Sequence, residues 1–274
     1  MKFRENPRVL IAYTTSQQEP FSSLEKNGAL ETWTKNLPPG HQVISLGARA
    51  DAGSSVLHSY SRIYENLRWG KFGRVVTIAA RILGKPFSTY TPKSSLIGSC
   101  LVVNIPEGLS FLGFKLLSAV DYMLQENFEF LVYTNLSSYI NTYRLTEILS
   151  SVNPFADYYA GKRLPSILNN GVSGSFIVLS RETCARIKKN RNGWNHAYLD
   201  DIALLRLTKK LKIRPTYLDS LNILEATSVK SMNRSDLLEY PHFKCGPQFL
   251  GSQRSDFLVM RELDDVLFPN SRNS

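Results

Sequence analysis

The stretch WNHAYLDDIALL, residues 194–205, sets two adjacent carboxylates, Asp200 and Asp201, at the head of an apolar helical pattern. Aspartate at a helix start is a common cap and complements the helix dipole. Two together, following Trp194, His196 and Tyr198, also suit a general base, because aromatic neighbours that exclude water raise a carboxylate's pKa toward a useful value. A second stretch, YPHFKC at 240–245, alternates His242 and Lys244 along an extended segment, so both point to one side. With Arg254 close behind, that side suits an anion. A third, NNGVSGS at 169–175, places Gly171 and Gly174 among small polar residues just ahead of FIVLS. Such a strand entry lets the backbone approach a ligand closely. By contrast, FLVYTNLSSYI at 130–140 reads as a buried strand running out into a polar loop, Thr134-Asn135-Leu136-Ser137-Ser138, that holds no carboxylate.

These residues need elements to position them. Short β-rich runs predict strands at Val9–Tyr13, Gln42–Leu46, Leu101–Ile105, Phe130–Thr134 and Ser175–Leu179. Helical patterns fall between them at Phe21–Trp33, Phe111–Leu124, Tyr143–Leu149 and Asp200–Leu211, and Ser180 is placed to cap a further helix beginning at Arg181. Strands alternating with helices imply an α/β fold with a mainly parallel central sheet and helices on both faces. In such sheets ligands sit beyond the carboxyl ends of strands, so the loops after Tyr13, Ile105 and Tyr133 should converge on one site.

The whole-chain properties bound the partners. A chain of 274 residues with 43% hydrophobic and 20% charged residues buries a sizeable core. Cys100, Cys184 and Cys245 are odd in number and widely spaced, which implies buried thiols in a reducing compartment. No run approaches the roughly 20 apolar residues that span a bilayer, and the N-terminal apolar stretch reads as a strand, so a cytoplasmic protein is expected. The net charge of +10 favours polyanionic partners. Residues 61–93 carry much of it, interleaved with Trp69, Phe72, Val75, Ile78 and Ile82. That pattern is either a core-facing helix with a solvated basic face or a helix at the inner face of a membrane. No RNP-like motif accompanies it, so no nucleic-acid partner is expected.

In their order along the chain, these pieces resemble inverting glycosyltransferases of the GT-A fold, the β-1,3-glycosyltransferase and Fringe-like group. LVVNIPEGLSFLGFKLLSAVDYM matches a strand, loop and helix with a fixed lysine, putting Asn104 at an aspartate position and Lys115 at the lysine. VSGSFIVLSRE matches a glycine-rich strand entry, and LDDIALL matches an acidic pair followed by an apolar residue. TNLSSYI occupies the place of a metal-binding Asp-x-Asp motif, with Asn135 and Ser137 at the carboxylate positions.

The resemblance implies a single Rossmann-related, GT-A-like domain over 1–274, with a basic insertion at 61–93 and a segment 240–274 closing the donor site. It implies a nucleotide-sugar donor near Tyr13, Thr14, Thr15, Thr134, Asn135, Ser137 and Ser138, with Lys115, His242, Lys244 and Arg254 as the cations facing it. Ser173, Gly174 and Ser175 would line the sugar or acceptor pocket with Trp194 and His196. Asp200 or Asp201 would deprotonate a glycan or lipid-linked acceptor, with Asp201 favoured by position. Asn and Ser are poor sole ligands for Mg or Mn, so no metal cofactor is expected to be required, and fixed cations would stabilise the departing diphosphate. A non-catalytic sugar-binding module and a basic membrane-associated scaffold are the competing readings.

Overall fold

Strand β1 (Val9–Thr14) is buried along almost its whole length, and its side chains divide between two cores. Val9, Ile11 and Tyr13 face one, and Leu10 and Ala12 face the other. A central strand wedged between two apolar layers can only be satisfied by paired neighbours, and β1 lies parallel to β2 (His41–Ala48) on one side and β5 (Phe130–Asn135) on the other. The computed structural model describes residues 6–16, 18–49, 91–164, 170–196, 198–246, 249–250 and 253–269. Within them, β3 (Ser94–Ile97), β4 (Cys100–Val103), β7 (Tyr159–Arg163), β8 (Val172–Ser180) and β9 (Pro215–Tyr217) complete an eight-stranded sheet of order β3-β4-β2-β1-β5-β8-β7-β9.

Helices cover both faces. On one, α2 (Leu112–Gln125), α4 (Arg181–Lys189) and α5 (Asp200–Lys210) bury Leu116, Val120, Met123, Ile187, Leu204 and Leu207. On the other, α1 (Phe21–Asn27), α3 (Thr142–Ser150) and α8 (Asp256–Leu267) bury Leu24, Leu145, Met260 and Leu263. Two short helices, α6 (Ala226–Lys230) and α7 (Arg234–Leu238), join this second layer through Val229 and Leu237. The layer also holds a small sheet of β10 (Ser220–Ile223), β11 (His242–Cys245) and β6 (Ser138–Ile140).

The α/β fold with a mainly parallel sheet and helices on both faces is therefore present. All five expected strands form, with ends shifted by a few residues. Ser180 caps α4 as anticipated, its Oγ accepting from Thr183 N at 3.2 Å. Two expectations need correction. The helix expected over Phe21–Trp33 ends at Asn27, because the backbone leaves helical geometry at Gly28 (φ -106°, ψ -92°) and continues as a 3-10 turn over Ala29–Glu31; a side chain at Gly28 would stand 2.9 Å from Met260 Sδ, where α8 crosses closely. Helix α8 itself falls outside the expected elements. The basic stretch 61–93 lies outside the described residues apart from its last three. No helix among the described residues is long and apolar enough to cross a membrane.

The topology fixes where a site can lie. Strands β1, β2, β4 and β5 run parallel and end on one edge, with Thr14 level with Asn135 and Ala48 level with Val103. Strand β8 is antiparallel to β5, with Thr134 opposite Phe176, so the Ser173–Ser175 entry of β8 lies at that same edge. Strand β7 presses against β8 at Gly161, whose φ is +141° and whose added Cβ would stand 2.0 Å from Phe176 O. The Gly161→Ala variant should therefore lose about 2 kcal/mol or more of unfolding free energy in urea titration. An unchanged midpoint would mean that these strands do not approach so closely.

Candidate functional site

The polar loop at the end of β5 forms a tight corner around Asn135. Its Oδ1 accepts from Ser137 N (3.2 Å), Ser138 Oγ (3.1 Å) and Lys244 Nζ (2.9 Å). Next to it, Ser137 Oγ accepts from Arg254 Nη2 at 2.7 Å, and Arg254 is ion-paired with buried Asp256 and lies over the Phe21 ring. Alternation along β11 places His242 and Lys244 on one side, and both reach this corner. They differ in charge. His242 is fully buried, stacked on Phe176 with ring centroids 4.6 Å apart, and hydrogen-bonded to Ser138 Oγ (3.0 Å) and Ser220 Oγ (2.6 Å). Burial, then the charges of Lys162 and Lys244, hold it well below the usual histidine range. His242 is thus a neutral strut, which corrects its expected role as a cation.

Across the β8 entry stand the carboxylates. Asp201 Oδ2 accepts from Gly174 N (3.2 Å) and its Oδ1 from Ile202 N (2.8 Å), tying α5 to the sheet edge. Asp200 lies deeper. Burial and the neighbouring Asp201 charge push it up to about 6, while the hydroxyl of Tyr133 beside it pulls in the other direction. Both Asp200 oxygens lie 3.4 Å from the point where a Cβ of Gly174 would stand, so the missing side chain lets the β8 backbone pack directly against that buried carboxylate. This gives the glycine-rich entry a specific use. The raised pKa that the sequence suggested for a carboxylate of this pair is present at Asp200, and its aromatic neighbour is Tyr133.

Several expected donor groups turn out to be spent internally. Lys115 is 2% exposed, with Nζ donating to Thr15 O (2.9 Å) and Glu107 Oε2 (3.0 Å). Its charge is used inside the fold, which corrects its placement among cations facing a donor. The Tyr13 hydroxyl and Thr15 Oγ1 both donate to Glu25, at 2.8 and 2.6 Å. Thr134 and Ser138 are fully buried; Thr134 Oγ1 donates to Ser175 O at 2.6 Å, and the single Ser138 hydroxyl hydrogen is shared between Ser175 O and Asn135 Oδ1, each at 3.1 Å, locking β5 to β8. Ser173 Oγ lies 3.1 Å from Ser175 Oγ. Thr14 is half-buried at the end of β1.

Trp194 and His196 also point inward. His196 stacks on Phe114 with centroids 3.6 Å apart, and its ring stands 3.3 Å and Trp194 Nε1 2.9 Å from where a Gly113 Cβ would lie. Burial pushes His196 down to about 3. Both side chains are buried against α2, so they are packing groups rather than the lining of an open pocket. The sequence reading missed Lys162, Glu25 and Glu107, and it noted Asp256 beside Arg254 without giving it a role.

No protein-family model matches the chain, and no curated protein sequence matches it. Solved structures similar to it are glycosyltransferases. Mouse xyloside xylosyltransferase 1, apo form, is 10% identical over 87% of this chain and 97% of that one, with a TM-score of 0.40. The glycosyltransferase GlyE of Streptococcus pneumoniae TIGR4 is 12% identical over 98% of this chain and 64% of that one, with a TM-score of 0.45. The galactosyltransferase LgtC, in complex with donor and acceptor sugar analogues, is 10% identical over 94% of this chain and 96% of that one, with a TM-score of 0.42.

Two stability measurements probe the site's electrostatics. Asp200 binds its proton more tightly folded, at about 6, than at its ordinary 3.8, so its contribution weakens as pH rises through that window. Above it, the penalty is about 3 kcal/mol, and Asp200→Asn should raise stability at neutral pH by that order and flatten the decline. A decline that persists in the variant would assign it elsewhere. For Lys115→Met, which strands Glu107, denaturant titration should show a loss of about 3 kcal/mol.

Proposed function

We propose that this protein transfers a sugar from a nucleotide-sugar donor to a hydroxyl acceptor. One observation carries the reading: at a single sheet edge, the β8 entry separates a cationic corner at Asn135–Ser137 from a carboxylate with a pKa near neutrality. Group transfer from a diphosphate needs both halves. The cations stabilise charge as it develops on the leaving oxygen, and the base takes the acceptor's proton.

Asp200 is the base in this scheme, and Asp201 is a positioning residue that holds Gly174 through its amide. As Asp200 removes the hydroxyl proton, the acceptor oxygen bonds to the anomeric carbon. The bond from that carbon to the diphosphate oxygen breaks, and its electron pair leaves with the diphosphate. One displacement of this kind inverts the anomeric configuration. No metal takes part, because Lys244 and Arg254 supply the positive charge. The amide Nδ2 of Asn135 would donate to the nucleotide-sugar in this scheme, since its Oδ1 is taken by the corner's own hydrogen bonds.

A non-catalytic binding module draws support from Asp201, whose two oxygens hold backbone amides as an ordinary cap would. Turnover separates the two readings. With a panel of nucleotide sugars and acceptors, Asp200→Asn should lower kcat/KM by about 10²–10⁴-fold. The wild-type profile should fall on the acid side near pH 6, and NMR should show an inverted product. Full activity in the variant, or donor binding without turnover in the wild type, would sink the assignment.

A further inference from the structure

The turn at Asn135–Ser137, where the resemblance puts metal-binding carboxylates, does not fit a divalent ion. Asn135 Oδ1 already accepts from the Ser137 amide and from an ammonium group, with a share of the Ser138 hydroxyl, and Ser137 Oγ accepts from a guanidinium. An ion such as Mg or Mn binds through oxygen lone pairs, preferably anionic ones, and here cations occupy those oxygens.

A third cation stands beside them. Lys162, on β7, donates to Asn222 Oδ1. Asn222 is the direct cross-strand partner of Lys244, which in turn lies opposite Ser138. The register therefore sets Lys162, Lys244 and the Asn135 corner side by side, with Arg254 on the corner's other flank. Burial, joined by the charges of Arg254 and Lys162, pushes Lys244 down to about 8 against the opposing pull of Cys245 and Asp256. Three basic side chains so placed, with Asp256 as the carboxylate paired among them, make a like-charged group that an anion would relieve.

We infer that Lys162, Lys244 and Arg254 form a binding site for a metal-free diphosphate, and that a divalent cation on the ligand weakens its binding. The identification of that diphosphate as the donor's leaving group rests on the function proposed above. Lys162 is the new member of the site. It comes from a strand outside every motif, and it supplies the third positive charge that neutral His242 does not.

Isothermal titration of the full chain tests this with inorganic pyrophosphate and a panel of nucleoside diphosphates, each in EDTA and in excess magnesium. Binding should occur in EDTA and weaken several-fold when magnesium caps the ligand. Lys162→Met should weaken it about tenfold, and Lys162→Arg should restore most of the loss. Circular dichroism confirms that the variants are folded. A requirement for magnesium or manganese, or wild-type affinity in a folded Lys162→Met, would overturn the inference. Sugar transfer that depends on manganese would overturn it, and with it the metal-free departure of the diphosphate, while leaving sugar transfer itself standing. Metal-free pyrophosphate binding without any sugar transfer would uphold the site and remove the function.

Discussion

The edge of the sheet depends on one buried charge. Lys115 sits in α2 at 2% exposure, and an ammonium group so placed is tolerable only if it is fully hydrogen-bonded and paired. Its partners bring three loops together. Thr15 O belongs to the end of β1, and Glu107 to the loop after β4, while the other oxygen of Glu107 accepts from Ala48 N, at 3.2 Å, at the end of β2. Glu25 of α1 extends the network by accepting from Tyr13 and Thr15 and by adding its charge to those that favour ionised Lys115. Burial pushes Lys115 down, and these carboxylates resist that shift. Three parallel strands thus end in one plane because a single cation needs all of them.

A second device holds the other half of the edge. Strand β8 enters beside β5, and its Ser175 carbonyl receives two hydroxyls, Thr134 Oγ1 and Ser138 Oγ. From Ser138 the chain of contacts runs to His242, which is stacked on Phe176 and bonded to Ser220. This neutral ring fixes the distance between the large sheet and the small one. Lys244, two residues along β11, therefore reaches Asn135 from a rigid strand, and a group held this way is pre-organised for an anion.

How much of this the sequence disclosed depended on how local the cause was. Strands such as β1 and β5 were legible because their apolar runs are buried on both faces. The Ser180 cap and the His242–Lys244 alternation were legible because each arises from a few neighbouring residues. Trp194 and His196 misled, because closeness in sequence to Asp200 said nothing about direction, and both turn toward Gly113 on α2. Lys162 was invisible for a related reason. Its partner Asn222 lies 60 residues away, and only the pairing of β10 with β11 places that partner beside Lys244. Helix α8 was missed because acids interrupt its apolar positions, yet two of them are buried: Asp256 pairs with Arg254, and Asp264 accepts from Tyr139 at 2.9 Å.

The missing carboxylates in the turn and the crowd of cations around it are one feature. An aspartate at position 135 would stand against Lys244 Nζ, which now lies 2.9 Å from the Asn135 amide oxygen, and would neutralise it as Asp256 partly neutralises Arg254. A carboxylate at position 137 would do the same to Arg254. The corner would then carry little positive charge of its own and would need an added cation to hold a diphosphate. With asparagine and serine, the turn keeps the hydrogen bonds that orient Lys244 and Arg254 and leaves their charge available. Neutral turn residues and basic neighbours are thus mutually required, and neither substitution would preserve the electrostatics of the corner without the other.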